Sequence, residues 1–190
     1  MADLNACSMP ASSGTFPMPC VPGWPKLRAG TQLDAMYERL KRDGFSFTRP
    51  GADPKNPHVL VVFDPQCYWS NHFWKTTRAL EDKVFFIWFA VCVSADVSTA
   101  QAACMLAAEN PWEVFCRHEE SFDDPDFCGI HPEDYAVSQD DRNRDWRNAR
   151  VFRKAGGTQV PLGIFRKPDG SFVPLFGDDT LSEIKQKIGL

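Results

Sequence analysis

Two stretches of the chain are apolar without interruption. Val59-Leu60-Val61-Val62-Phe63 is a β-branched run closed by Asp64-Pro65, and Val84 to Val93 (VFFIWFAVCV) is a second. Such runs, with no polar alternation, predict strands buried on both faces. Helical spacing surrounds them. Leu33, Met36, Tyr37 and Leu40 fall at i, i+3, i+4 and i+7, with Thr31 and Asp34 as a capping box and Gly44 as a stop, which predicts a helix over about 31–43. A second helix is predicted from about Cys67 to Leu80, with Trp69, Phe73 and Leu80 on one side.

Beyond the second strand, Ser98 and Gln101 predict the cap of a short helix through Ala108, and Pro111 opens another that carries Trp112 and Phe115. Residues 120–141 read as acidic and irregular, and a basic polar helix around 143–154 ends at Gly156-Gly157. Leu162–Arg166 and Ser171–Leu175 flank Lys167-Pro168-Asp169-Gly170, a hairpin signal. Thr180 and Glu183 cap a last helix bearing Leu181, Ile184 and Ile188. The order is strand, helix, strand, helical insert, helix, hairpin, helix. This is an α/β chain with the thioredoxin arrangement: residues 58–190 form the domain, with a helical insert over about 98–155. Residues 1–57 form a Pro-rich N-terminal arm with one helix, holding eight of the fifteen prolines. Pro spacing in residues 8–26 forbids a continuous helix or a central strand there.

At 190 residues with 43% hydrophobic content, the chain is long enough to bury a core. The net charge is −4 and Lys and Arg form no single block, which argues against a nucleic-acid partner. No apolar run reaches the roughly 18 residues that a membrane span needs. Seven cysteines point to redox or metal chemistry.

Cys67 carries the main candidate chemistry. It stands just past a buried strand, at the first turn of a helix. Free helix N-terminal N–H groups and the macrodipole stabilise a thiolate there, which predicts a pKa lowered toward neutrality. The plain alternative is a buried core cysteine. Asp64 is either a proton acceptor for that thiol or a helix cap ahead of Pro65. Val160-Pro161 precedes a strand. A cis bond would leave the Val160 backbone free to pair with an extended peptide, and a trans, strand-initiating proline is the plain alternative. Cys116-Arg117-His118 and Cys128-Gly129-Ile130-His131 supply a zinc-type ligand set at an uncommon spacing. His118 and His131 read instead as a solvated helix end and a loop residue, and the expectation is no metal and no cofactor. The acidic loop (Glu119, Glu120, Asp123, Asp124, Asp126) and the basic helix (Arg142, Arg144, Arg147, Arg150, Arg153, Lys154) read as surfaces that screen each other.

Three segments resemble the bacterial DsbC/DsbG disulfide isomerases: VLVVFDPQCYWSNHFWK, VFFIWFAVCVSADVSTAQAACMLAAENPWEVF and QVPLGIFRKPDGSFVPLFGDDTLSEIKQKI. The resemblance implies a thioredoxin-like fold over about 58–190, with Cys67 as nucleophile, Val160-Pro161 as the facing cis-Pro pair, and Tyr68 and Trp69 as the dipeptide beside the nucleophile. Ser70 stands where that family has its second, resolving cysteine. A lone thiol can attack a disulfide and hold a mixed disulfide, but it cannot close one with Ser70. Ser70 can donate a hydrogen bond to the thiolate. The implied activity is monothiol (Cys-x-x-Ser) disulfide isomerase- or reductase-like, or chaperone-like, on exported proteins bearing cysteines. The alternative is a redox-inactive binding component of a bacterial secretion or conjugation apparatus. The family's dimerisation domain has no counterpart in the first 57 residues. The resemblance also ranks Cys104–Cys128 first as a structural disulfide. Cys7–Cys20 would close a short loop in the arm, and Cys92 reads as a buried thiol that Cys116 could reach only if helix and strand pack suitably. No secretory signal is visible, so the chain reads either as cytoplasmic or as a mature exported form, and the cysteine count favours the periplasm.

Overall fold

The computed structural model describes Leu27, residues 31–93 and residues 96–190. Its elements run α1 (Leu33–Asp43), β1 (His58–Phe63), α2 (Tyr68–Thr77), β2 (Phe85–Ala90), α3 (Asp96–Ala107), α4 (Pro111–Glu120), α5 (Gln139–Lys154), β3 (Leu162–Arg166), β4 (Phe172–Phe176) and α6 (Leu181–Ile188). The strands form one sheet in the order β2-β1-β3-β4. β1 pairs parallel with β2, from His58 opposite Phe85 to Phe63 opposite Ala90, and β3 is antiparallel to both β1 and β4.

Both faces of this sheet are covered, which is why β1 shows no polar alternation. Val59, Val61 and Phe63 point to one side, into a cluster with Phe73 and Trp74 of α2, Phe115 of α4 and Ile184 of α6. Leu60 and Val62 point to the other, against Met36 and Leu40 of α1 and Ala149 and Phe152 of α5. The arm helix α1 is therefore built into the core, and Phe47 beyond it bridges to Trp88 of β2.

Local chemistry sets most element ends. Ser138 with Asp141 and Thr180 with Glu183 form reciprocal capping boxes at α5 and α6, and the Asn110 side chain caps α4. Two predicted caps are not used. Thr31 does not cap α1; its hydroxyl donates to the Gly156 carbonyl at 3.1 Å, and Gln32 is the N-cap. Ser98 lies within α3, whose first residue is Asp96, because its hydroxyl is drawn to the Asp64 carboxylate. The helical insert is α3 to α5, between β2 and β3. No helix among the described residues is long and apolar enough to cross a membrane.

Candidate active site

β1 ends at Phe63, and a tight turn delivers Cys67 to the N-cap of α2. The turn is fixed from within: the Gln66 amide donates to Asp64 Oδ1 at 2.8 Å and the Cys67 amide to the Asp64 carbonyl at 3.0 Å. Asp64 is fully buried, and its other partners include the Val93 amide, at 2.7 Å to Oδ2, and the Ser98 hydroxyl. A carboxylate holding three donors is a structural clamp between β1, β2 and α3, so Asp64 acts closer to the capping alternative than to a free proton acceptor. It caps the turn rather than α2 itself.

The Val160–Pro161 peptide bond is cis. The Cys67 thiol donates to the Val160 carbonyl at 3.3 Å, so the strand-initiating loop and the helix terminus meet at the sulfur. Ser70 is buried on the first turn of α2, where its hydroxyl accepts from the Asp64 amide at 3.4 Å. Trp69 is half-buried and packs edge-on to His72 and Tyr68, and Tyr68 is 41% exposed at the mouth. Sequence reasoning did not find Gly177. Its Cα lies so close to Trp69 and Pro161 that a Cβ there would stand 2.7 Å from Trp69 Cβ and 2.9 Å from Pro161 Cδ. Its carbonyl also accepts from His72 Nδ1 at 2.9 Å. Gly177→Ala is expected to push Trp69 and Pro161 apart and uncover the sulfur. Iodoacetamide should then label Cys67 faster than in the parent protein, and an unchanged labelling rate would show that the lid of the site lies elsewhere.

The predicted activation of Cys67 is corrected by this geometry. The residue is 3% exposed, and burial, reinforced by the Asp64 charge, pushes its thiol up to about 12. The Ser70 hydroxyl and the amides of Ser70 and Trp69 pull the other way, as helix N-terminal donors should, but desolvation wins. The resting sulfur is a protonated, shielded thiol.

A buried polar layer backs the site. Gln66 Nε2 donates to Gln101 Oε1 at 2.7 Å and to the Cys128 carbonyl at 3.0 Å, and Gln101 Nε2 donates to the Cys128 and Ile130 carbonyls at 2.8 and 3.0 Å. His118, read from sequence as solvated, is fully buried. Its Nδ1 accepts from the Ile130 amide at 3.3 Å and its Nε2 donates to the Pro65 carbonyl at 2.7 Å, so both ring nitrogens are used and neither is open to a metal. Burial holds the ring neutral, its pKa lowered to about 4. His131 is exposed and stacks on Phe127. No group of three or more potential ligands assembles among the described residues.

The cysteines also depart from expectation. Cys104 is a thiol whose Sγ faces the Pro132 carbonyl at 3.9 Å, so the Cys104–Cys128 bridge is not formed. The loop at Cys128 is held by its backbone carbonyl, through Gln66 and Gln101, and needs no covalent tie. Cys116 is likewise a thiol, raised to about 12 by burial, and neither it nor Cys92 forms a disulfide. Cys7 and Cys20 lie outside the described residues. Among the described residues no ion pair joins the acidic loop to the basic helix. Asp123 pairs with Lys75 of α2 at 2.8 Å and Glu120 approaches Arg78 at 3.8 Å, while Arg144 and Arg153 of α5 donate to the Leu106 and Cys92 carbonyls.

No family model and no curated protein sequence matches the chain. Solved structures do. A periplasmic thioredoxin-like protein from Salmonella enterica serovar Typhimurium aligns with a TM-score of 0.64 at 13% identity, over 82% of this chain and 95% of that one. The catalytic domain of Proteus mirabilis ScsC aligns at 0.66 and 14% identity, over 83% and 96%. The thiol-disulfide exchange protein alpha-DsbA2 from Wolbachia pipientis aligns at 0.56 and 14% identity, over 85% and 95%. The fold is thioredoxin-like. Matches to ScsC and a DsbA type alike do not single out the DsbC/DsbG isomerases.

Proposed function

We propose that the protein is a periplasmic thiol–disulfide exchange factor that engages extended, cysteine-bearing protein segments through Cys67 alone. The observation that carries this reading is the 3.3 Å contact between Cys67 Sγ and the carbonyl that precedes the cis Val160–Pro161 bond. A disulfide-containing strand needs a sulfur and a backbone edge side by side: once it displaces the Cys67 thiol from the Val160 carbonyl, Val160 pairs with its main chain while Tyr68 and Trp69 meet its side chains. The structural neighbours, one a thiol-disulfide exchange protein and another a periplasmic thioredoxin-like protein, support the assignment.

The chemistry begins when a client displaces the Val160 contact and the burial penalty on the sulfur falls. The Ser70 hydroxyl and the two amides then stabilise the thiolate. It attacks one sulfur of the client disulfide, forming a Cys67–client bond and releasing the other client sulfur as a thiolate that takes up a proton. A second client thiolate can attack the client sulfur of this bond and expel Cys67, which leaves a rearranged client and no net redox change. With no second thiol on α2 to resolve it, the mixed disulfide persists until a client thiol arrives, and turnover is slow compared with that of a dithiol site.

One observation favours a second reading. A sulfur so fully shielded also suits a redox-silent binding module, such as a component of a secretion or conjugation apparatus. Insulin reduction and scrambled-ribonuclease refolding by the parent protein and Cys67→Ala separate the two. The exchange reading expects the activity to fall to the buffer blank in the variant. Equal activity in both proteins rejects it and leaves the binding module.

A further inference from the structure

One face of α5 carries a surface that the fold does not use. The inner face of the helix, with Asn148, Ala149 and Phe152, is buried. On the outer side Arg142, Trp146, Arg150 and Arg153 recur at i, i+4, i+8 and i+11, which lays them along one strip, with Arg147 and Lys154 beside it. Trp146 is 64% exposed, the most of any large hydrophobic side chain among the described residues. Asp145 is the only acid between residues 142 and 154, and it is fully buried. None of these five cations stands in an ion pair among the described residues, whereas elsewhere cations meet acids: Arg49 with Asp82, Arg117 with Glu113, Lys187 with Asp179. Basic residues in a last helical turn offset the macrodipole, which accounts for Arg153 and Lys154. It does not account for Arg147 and Arg150 in mid-helix or for a tryptophan beside them, and like charges three and four residues apart cost the helix stability.

The strip ends at the site. α5 runs into the loop whose Val160 carbonyl takes the Cys67 thiol at 3.3 Å. Arg153 Nη2 donates to the Cys92 carbonyl at 3.3 Å, and the N–H of that same peptide unit, on Val93, donates to Asp64 Oδ2 at 2.7 Å. One peptide unit therefore separates the guanidinium from the carboxylate, a gap of at most roughly 8 Å. Asp64 in turn takes the Cys67 amide on its own carbonyl at 3.0 Å. Val91, Val93 and Phe152 share one apolar cluster with Cys67 and Val160. From Arg153 back to Trp146 is about 10 Å of helix, the length of three extended residues. A segment that leaves the sulfur over the Cys92 peptide meets Arg153 first, then Arg150, then an exposed indole.

We propose that this strip of α5 is the client-docking surface of the exchange site, and that it selects segments with acidic residues and one large apolar side chain beside the cysteine. This rests on the exchange reading. Arginine offers a planar fork to carboxylates and tryptophan a large apolar surface, and the two are among the side chains that most often carry binding energy. Docking on α5 holds a client at the site while the Val160 contact is displaced from the sulfur. Arg150, Arg153 and Trp146 are positioning residues, and the bond exchange stays with Cys67. The sign of the preference is diagnostic. The chain has a net charge of −4, so its overall field repels an acidic segment and attracts a basic one. A preference for acidic flanks can come only from a local cationic surface.

Three peptides of one design test this, each with a single cysteine capped by thionitrobenzoate. Asp, Glu and one Phe flank the cysteine in the first, Gln replaces the acids in the second, and Lys replaces them in the third. The Cys67 thiolate attacks the peptide sulfur, a Cys67–peptide disulfide forms, and the coloured thionitrobenzoate thiolate leaves. Its release is read as the rate with the full-length protein less the rate with Cys67→Ala. The acidic peptide is expected to react roughly tenfold faster than the Lys peptide near 20 mM salt, and the ratio should fall below about threefold near 0.5 M, where exposed charges are screened. Arg150→Glu should bring the ratio to one or below. Trp146→Ala should raise the half-saturating concentration of the acidic peptide severalfold and keep the salt dependence. Both substitutions are at exposed positions, and circular dichroism checks that the fold is kept. Equal rates for the three peptides, or a Lys peptide that reacts fastest as net charge dictates, would overturn the inference and leave the exchange reading standing. No Cys67-dependent release from any peptide would overturn the exchange reading and the inference together. Sedimentation of the parent as a dimer that Arg150→Glu dissociates, or flotation on phosphatidylglycerol vesicles that Arg150→Glu abolishes, would give the strip to a second copy or to an anionic membrane and overturn the inference as well.

Discussion

Phe115→Ala is expected to destabilise the protein by about 3–5 kcal/mol, the usual cost of removing a fully buried phenylalanine. Phe115 projects from α4 into the aromatic layer beneath the sheet and is completely buried. Its ring centroid lies 4.8 Å from Trp88 of β2, 5.1 Å from Phe63 of β1, 5.2 Å from Phe47 and 5.4 Å from Trp112. Few positions join so many elements, and large rings on every side cannot collapse into the space left behind. The effect reaches the site, because Phe63 is the last residue of β1 and the turn bearing Asp64 and Cys67 starts from it. Urea unfolding followed by tryptophan fluorescence and circular dichroism should show the loss, and Cys67 should alkylate faster as the turn loosens. A cost below about 1 kcal/mol would mean that the cluster repacks, and that this layer is not what holds the turn.

How much of this was legible before the structure depended on the range of each signal. The two buried strands, the hairpin at Lys167–Gly170 and the box of Thr180 with Glu183 are written in local patterns, and β1, β2, the β3–β4 pair and α6 fall where periodicity and turn residues put them, whereas the Ser138–Asp141 box starts α5 at Gln139, inside the stretch read as irregular. The meeting of Cys67 with Val160-Pro161 was legible only through the resemblance, since 93 residues separate the two partners. The state of the sulfur was not legible. A helix N-terminus lowers a thiol pKa and burial raises it, and the sequence displays the first influence while the second depends on Gly177, Trp69 and the Val160 loop closing over the site. His118 and Ser98 misled for the same reason. Each is an ordinary polar residue locally, and each is buried because a distant backbone group, Ile130 for one, or a distant carboxylate, Asp64 for the other, completes it. Cys104 and Cys128 show the converse error, in which a covalent tie was expected where carbonyl hydrogen bonds already hold the loop.

The buried ionisable groups set opposed pH dependences, and stability is expected to fall as pH rises from about 4 to 8, because two raised carboxyls outweigh one depressed imidazole. Glu119 is fully enclosed, its Oε2 accepting from Asn71 Nδ2 at 2.8 Å, and burial raises its carboxyl to about 8. Asp145 of α5 is fully buried with neither carboxylate oxygen in a well-formed hydrogen bond, and burial together with the Asp64 charge raises it to about 8 as well. Both carboxyls hold their protons more tightly folded than unfolded, so the folded state binds more protons between about pH 4 and pH 8 and stability falls as pH rises through that window. His118 works in the opposite sense. It is held neutral with its pKa lowered to about 4, so the unfolded chain binds the extra proton below the ordinary imidazole value of about 6.5 and stability falls as pH drops toward 4. Protonation at Nδ1 would also set its new N–H against the Ile130 amide. At roughly 1.4 kcal/mol per pKa unit, the imidazole contributes a few kcal/mol and each carboxyl at least as much, so the two carboxyls together prevail across the window. Thermal melts from pH 4 to pH 9 should therefore show a melting temperature that falls as pH rises, less steeply below about pH 6.5, where His118 opposes the carboxyls. Asp145→Asn should raise the melting temperature more at pH 8.5 than at pH 5, and Glu119→Gln should also flatten the fall because its amide oxygen keeps the Asn71 bond. A melting temperature that climbs steadily from pH 5 to pH 8.5 in the parent protein would show that these two carboxyls are ionised in the folded state and that the layer behind Cys67 is wetter than its packing implies.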